Sequence, residues 1–362
     1  MVPYFVTSAL VLVFSVLAEI SRTNDLERGY EGYRHSKRTG IFLFLTLVPL
    51  VYTAGFRYGI GTDFMGYYKI NSVFKANFWK ALISLNEPGI CLLRDLVSLF
   101  STDGAAYIFT FSLLTILSFC IVLFRHTDDY VFAMMLYIFC GCWHGAFNGV
   151  RQYLAAAVLM MGIHFIREKK LIPYAVTVFI AFLFHKSSIV MIVPYFVMRN
   201  EITPRNILFL AAGTLIVSLN YETVFAFIGF LKEKDVVMNS YATSSVNILR
   251  VLANAAPAVA AVVLNLGKEL DEEQTFCING LIINAVAMIA SANSTYLARI
   301  GVYTGVFIPL CLSKVIRLKN KNFELFFRTA IVVLFAVFWY VEVSGHSALN
   351  PFKWVFYKGI FY

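Results

Sequence analysis

Long apolar runs separated by short polar stretches dominate this chain. They fall at 3–20, 40–56, 104–124, 130–147, 148–166, 171–184, 187–198, 206–219, 246–266, 275–292, 296–316 and 325–343. Because an apolar stretch of about 20 residues crosses a bilayer as a helix, the pattern predicts an all-α, polytopic membrane protein of about 11–12 transmembrane helices. The runs at 171–184, 187–198 and 206–219 are shorter than a full span. Strict alternation of apolar and polar residues, the mark of a membrane β-barrel, is missing from these runs. The first run has no basic residues before it and no small-residue cleavage site, so it reads as a retained span. The whole chain, 1–362, reads as a single integral-membrane domain, with no internal repeat of the kind that builds two-halved transporters.

Loop charge sets the expected orientation. Arg22, Arg28, Arg34, Lys37 and Arg38, then Arg125, then Arg167, Lys169 and Lys170, then Arg199 and Arg205, then Lys268, then Lys314, Arg317, Lys319 and Lys321 occupy one alternate set of loops. Basic short loops stay cytoplasmic, which places both termini outside. The external face then carries two long segments, at about 57–103 and 220–245. Short amphipathic pieces at 78–85 and 91–100 are expected to lie along the interface. The aromatic tail after Pro351, with Lys353 and Lys358, is expected to be an interfacial anchor.

Composition narrows the class without changing it. Hydrophobic residues make up 59% of the chain and charged residues 14%, and mean hydropathy is +0.73. An ordinary soluble domain carries about 25% charged residues. The net charge of +9 is spread over many short loops, and no nucleic-acid module is visible. Most of the six cysteines lie inside apolar runs, which argues against a disulfide framework. Cys140 and Cys142, two apart on an expected helix, should face different ways. No metal and no cofactor is expected.

The orientation gathers the unexplained polar residues on one aqueous surface: Arg57, Asp63, Glu87, Asn148, Arg151, His185, Arg299 and His346, with Arg250 entering from the same side. Charges at such places are expensive, by roughly 2.5–3.5 kcal/mol for a central Arg on the insertion scale. Five clusters result. Gly55 to Asp63, followed by Tyr67 and Tyr68, combines glycines that admit a ligand with a planar guanidinium suited to phosphate; a turn closed by an Arg57–Asp63 pair explains it equally. Asn148, Arg151 and Gln152 share one helix face near a helix start that favours anions; the alternative is an arginine reaching to lipid headgroups. His185 sits in a polar break and is suited to proton transfer, or is a satisfied interfacial residue. Asn247, Arg250 and Asn254 form a polar stripe that must face protein or a wet cavity. Tyr296, Arg299 and Tyr303 share a face and equally suit an interface anchor.

Four strings in the same order, FRYGIGTDFMGYY, NEPG at Asn86–Gly89, FNGVRQYLAAAV at 147–158 and IAFLFHKSSIVMIVPYF at 180–196, resemble the EpsG family of Wzy-like polysaccharide polymerases. The similarity runs from about Ala54 to Met198, with a weaker echo over Tyr296–Phe307. The resemblance implies a membrane glycosyltransferase that joins oligosaccharide repeat units carried on undecaprenyl diphosphate at the external face of a bacterial inner membrane, extending a capsule, O-antigen or exopolysaccharide. It carries over to Arg57, Gly61, Asp63, Glu87, Arg151, Gln152, His185 and, less closely, Arg299. On this reading Arg57, Arg151, Arg299 and Arg250 hold diphosphate, His185 or Asp63 is the general base, and Gly61, Tyr67, Glu87, Asn148 and Gln152 contact substrate. The lipid-linked oligosaccharide is then both donor and acceptor, with a chain-length regulator and a flippase as candidate partners and no nucleic acid. The competing readings are a flippase or exporter of the same lipid and an O-antigen-type ligase.

Overall fold

The computed structural model describes residues 1–30, 35–73, 75–199, 245–295 and 297–357. The run at 206–219, the segment 220–245 except its last residue, and Tyr296 lie outside the described residues. Among those described the protein is all-α and polytopic, with no strand and a single isolated β-bridge between Arg57 and Trp354.

The principal helices are α1 (Val2–Glu27), α2 (Lys37–Gly55), α3 (Pro88–Ser98), α4 (Gly104–His126), α5 (Tyr130–Phe139), α6 (Val150–Met161), α7 (Leu171–Phe184), α8 (Ile248–Leu264), α9 (Glu272–Ala290), α10 (Phe307–Val315) and α11 (Lys321–Gly345). Polar loop residues set their starts by accepting from orphan backbone N–H groups. Ser36 caps α2, Asp103 caps α4, Asp129 caps α5, Asn247 caps α8 and Asn320 caps α11. Asp271 and Gln274 form a reciprocal capping box at α9. In apolar surroundings small and hydroxylated residues tie helices together. Thr7 meets Thr53 at 2.6 Å and Ser21 meets Thr39 at 2.7 Å, which fixes α1 antiparallel to α2.

Among the described residues, helices α1, α2, α4, α9 and α11 are long and apolar enough to cross a membrane, and Leu297–Thr304 with Phe307–Val315 is as apolar as a pair but bends by 50° at a short break. Several other expected spans are shorter or interrupted. The run at 130–147 stops as α5 at Phe139. Gly141 then takes a left-handed φ of +99° and a short turn, Cys142–Gly145, follows before α6 begins at Val150. The run at 187–198 opens as a 3₁₀ turn, Lys186–Met191. These breaks lie at one end of the bundle. Irregular backbone at membrane depth is tolerated where it lines a polar cavity.

The two ends differ sharply. At one, Arg22 donates to the carbonyls of Phe124, Thr127 and Asp128. There Lys314 reaches Glu273 at 2.6 Å and Arg328 reaches Asp129 at 2.8 Å. The basic short loops meet here. At the other end Tyr4 Oη donates to the Leu349 carbonyl (2.8 Å). The loop after α2 pairs with the chain beyond α11 through Gly61 to Ala348, Tyr58 to Lys353 and Val355 to Phe56, at 2.8–2.9 Å. The segment from Pro351 to Val355 therefore braces that loop, with Phe352 and Trp354 packed against Tyr4 and Tyr52. Beneath this end, fully buried Asn284 bonds Asn254 (3.2 Å) and Thr304 (2.9 Å), joining α8, α9 and the turn Gly301–Thr304.

Candidate active site

A cavity of about 300 Å³ opens at the end opposite the basic loops. It gathers Asp63, Tyr67, Asn148, Arg151, Gln152, His185, Arg250 and Arg299 from segments spread over most of the chain.

The loop after α2 forms one wall, and its position depends on Gly61. This residue has φ +105°, and a Cβ there would lie 2.1 Å from the Phe147 carbonyl oxygen. Only glycine fits both conditions. The close approach lets the Thr62 amide donate to Asn148 Oδ1 at 2.8 Å, joining the first cluster to the second. Asp63 opens the short helix Phe64–Tyr68 and makes no capping bond. Its carboxylate lines the cavity.

Arg57 lies behind this wall and does not line the cavity. It is 2% exposed. Its guanidinium donates to the carbonyls of Ala54 and Ile60 and to Ser112 Oγ, and lies 4.6 Å from the Phe147 ring centroid. The glycine-rich turn is closed by these carbonyl contacts and not by an Arg57–Asp63 pair. Its donors serve the loop, away from the cavity that gathers the other arginines singled out in the sequence. Gly61 likewise shapes the site without lining it.

Glu87 organises the second wall. It precedes Pro88 at the start of α3 with φ +53°, a left-handed conformation that costs a non-glycine residue of order 1 kcal/mol or more. Its carboxylate accepts from Arg151 of α6, and Arg151 Nε donates to Tyr67 Oη at 2.9 Å. The other carboxylate oxygen lies 2.7 Å from Nδ1 of His185, a short contact without hydrogen-bond alignment. Burial alone would raise the Glu87 pKa, but His185 and Arg151 outweigh it and hold the carboxyl below its usual range. Glu87 does not line the cavity itself; it stands behind Arg151 and His185. His185 Nε2 lies 3.2 Å from the Gln152 amide nitrogen. The Glu87 anion favours the proton on Nδ1, so that Nε2 accepts from Gln152. An imidazole oriented by a carboxylate is a competent general base.

A third wall is one that sequence reasoning only half found. Arg250 of α8 contacts Glu342 Oε1 through Nε (2.7 Å) and Nη2 (2.6 Å). The other Glu342 oxygen lies 3.6 Å from His144 Nε2. Glu342 was legible as a lone carboxylate inside an apolar run, the same signal that singled out Arg250. The break at Gly141 also brings the Cys140 and Cys142 sulfurs to 3.4 Å, against the expectation that they face apart. Both are free thiols. Among the described residues no three His, Cys, Asp or Glu side chains gather as a metal site. Arg299, in the 3₁₀ turn Leu297–Ile300, completes the cavity with His346. Tyr303, in the next turn (Gly301–Thr304), bonds Ser187 Oγ of the His185 segment at 2.9 Å.

Neither the curated proteins nor the solved structures include a match to this chain. The EpsG family model matches residues 40–357, extending well past the stretch that carried the resemblance. The chain belongs to the EpsG family of Wzy-like polysaccharide polymerases.

Proposed function

We propose that this protein lengthens a polysaccharide by joining oligosaccharide repeat units carried on undecaprenyl diphosphate. The observation that carries the proposal is the convergence of Arg151, Arg250 and Arg299, from three separate elements, on one cavity with His185. The basic loops at the opposite end support an outward-facing cavity, which in this reading opens on the periplasmic side of a bacterial inner membrane.

The reaction forms a bond between an acceptor hydroxyl oxygen and the donor's anomeric carbon. It breaks the bond from that carbon to the phosphate oxygen, and the electron pair leaves with the lipid diphosphate. Arg151 and Arg299 stabilise the charge that develops there; planar guanidinium groups match phosphate oxygens and gain strength in a water-poor site. The acceptor proton passes to Nε2 of His185, released from Gln152. Glu87 holds both Arg151 and His185, so one carboxylate sets the distance between the diphosphate and the base. Asp63, on the facing wall, is the second candidate base. Tyr67, Asn148 and Gln152 supply hydrogen bonds to diphosphate or sugar.

Purified full-length protein supplied with undecaprenyl-diphosphate-linked repeat units provides the test. Lengthened products support a polymerase. Movement of intact lipid-linked units across a vesicle membrane without lengthening would show an exporter, and transfer only to an added lipid A core would show a ligase.

A further inference from the structure

The cavity carries two sets of the same three residue types. Arg151, Glu87 and His185 form one; Arg250, Glu342 and His144 form the other. The second set sits above an apolar feature of its own. An apolar groove of about 500 Å³ runs between α8 and α11, lined by Leu249, Ala253 and Ala256 on one side and Leu334, Phe338 and Val341 on the other. Small residues on a membrane helix normally allow a neighbouring helix to pack closely. Among the described residues no helix packs on the alanine face of α8, which lines the groove instead. From Leu249 to Ala260 the groove follows α8 for about 16 Å at the ordinary helical rise.

The groove and the polar cavity are continuous. Phe338 lines both. Arg250 follows Leu249, and Glu342 follows Val341, so the charged pair stands where the groove meets the cavity. The two contacts to Glu342 use two of the five guanidinium N–H groups, and Arg250 is about half exposed. A molecule that filled the groove with an apolar chain would place an anionic head against Arg250 and any attached sugar in the cavity.

We infer that α8 and α11 form a second lipid-diphosphate site, in which the groove takes the polyprenyl chain and Arg250, held by Glu342, takes the diphosphate. This rests on the polymerase reading above, in which two lipid-linked molecules must be bound at once. The Arg151–Arg299 side then holds the donor whose diphosphate leaves. The α8–α11 side holds the acceptor, whose diphosphate stays attached.

The test is the binding stoichiometry of undecaprenyl diphosphate to the full-length protein in phosphatidylcholine nanodiscs. The wild type is expected to bind two equivalents. Ala256→Trp fills the groove from an exposed position, and Arg250→Gln removes the charge; each should bind one. Val259→Trp, on an exposed position of α8 outside the groove, should bind two. Geranyl diphosphate, too short to depend on the groove, should retain two equivalents in Ala256→Trp. A wild type that binds a single equivalent, or Ala256→Trp and Arg250→Gln variants that both keep two, would overturn the second site; the latter is expected if the groove holds only bulk phospholipid. A wild type that binds none would overturn the polymerase reading as well.

Discussion

One oxygen of the Glu87 carboxylate lies 2.7 Å from Nδ1 of His185, while the other accepts from Arg151. A single, mostly buried anion thus couples the proposed base to the proposed diphosphate ligand. Replacing it by an amide keeps the shape and removes the charge. Glu87→Gln is expected to cost about 1–3 kcal/mol of stability, the range for a charged hydrogen bond lost from a buried site. The polymerisation rate per folded molecule should fall by at least tenfold, because Arg151 and His185 both lose their reference point. Thermal unfolding and product formation at matched protein levels measure the two effects separately.

The acid dependence of that stabilisation has a fixed sign. The Glu87 pKa is lower in the folded protein than its usual value. Its contribution is therefore complete above the unfolded value, about 4.3, and is lost as pH falls through the lower folded value. The difference in Tm between wild type and Glu87→Gln should shrink as pH falls below about 4. A difference that failed to shrink there would mean that the carboxyl is not held as an anion.

His185 and Asp63 are separable by chemistry. His185→Gln should lower turnover by about 10²–10⁴-fold, the usual share of general base catalysis, with undecaprenyl diphosphate binding retained. Asp63→Asn, which leaves the Glu87 contacts to Arg151 and His185 in place, should keep turnover within about tenfold of wild type on that same scale. The reverse pattern would assign the base to Asp63.

Arg57 and Gly61 should behave as structural residues. Arg57→Met strands two buried carbonyls and is expected to cost about 2–4 kcal/mol. Gly61→Ala forces a Cβ against the Phe147 carbonyl and should lower folded yield through the loss of the Thr62–Asn148 contact. In both, the fraction that folds should keep near-normal activity for Arg57→Met and reduced activity for Gly61→Ala. Membrane-fraction abundance and activity per folded molecule read these out.

The polar lining of the cavity was largely legible in the sequence because a charged or amide side chain at or inside an apolar run is its own signal. Asp63, Asn148, Arg151, Gln152, His185, Arg250 and Arg299 all carried that signal, and all line the cavity. Arg57 carried it too and lies behind the wall, since a guanidinium satisfied by carbonyls looks the same in sequence as one that awaits a ligand. The short, broken helices were less legible. Hydropathy over 130–147 is continuous, and only the left-handed Gly141 ends α5 early and turns His144 toward Glu342. Pairings across long separations, such as Glu87 with His185 or Gly61 with Ala348, have no local signature at all.

The direct test of Arg151 as the group that grips the leaving diphosphate is the lengthening rate of undecaprenyl-diphosphate-linked repeat units by purified wild type, Arg151→Lys and Arg151→Ala. Lysine keeps the charge and loses the planar fork. The expected result is a fall of about 10²-fold or more for both variants, the scale seen when one donor to a developing anion is removed. Wild-type rates from both variants, at equal amounts of folded protein, would contradict it.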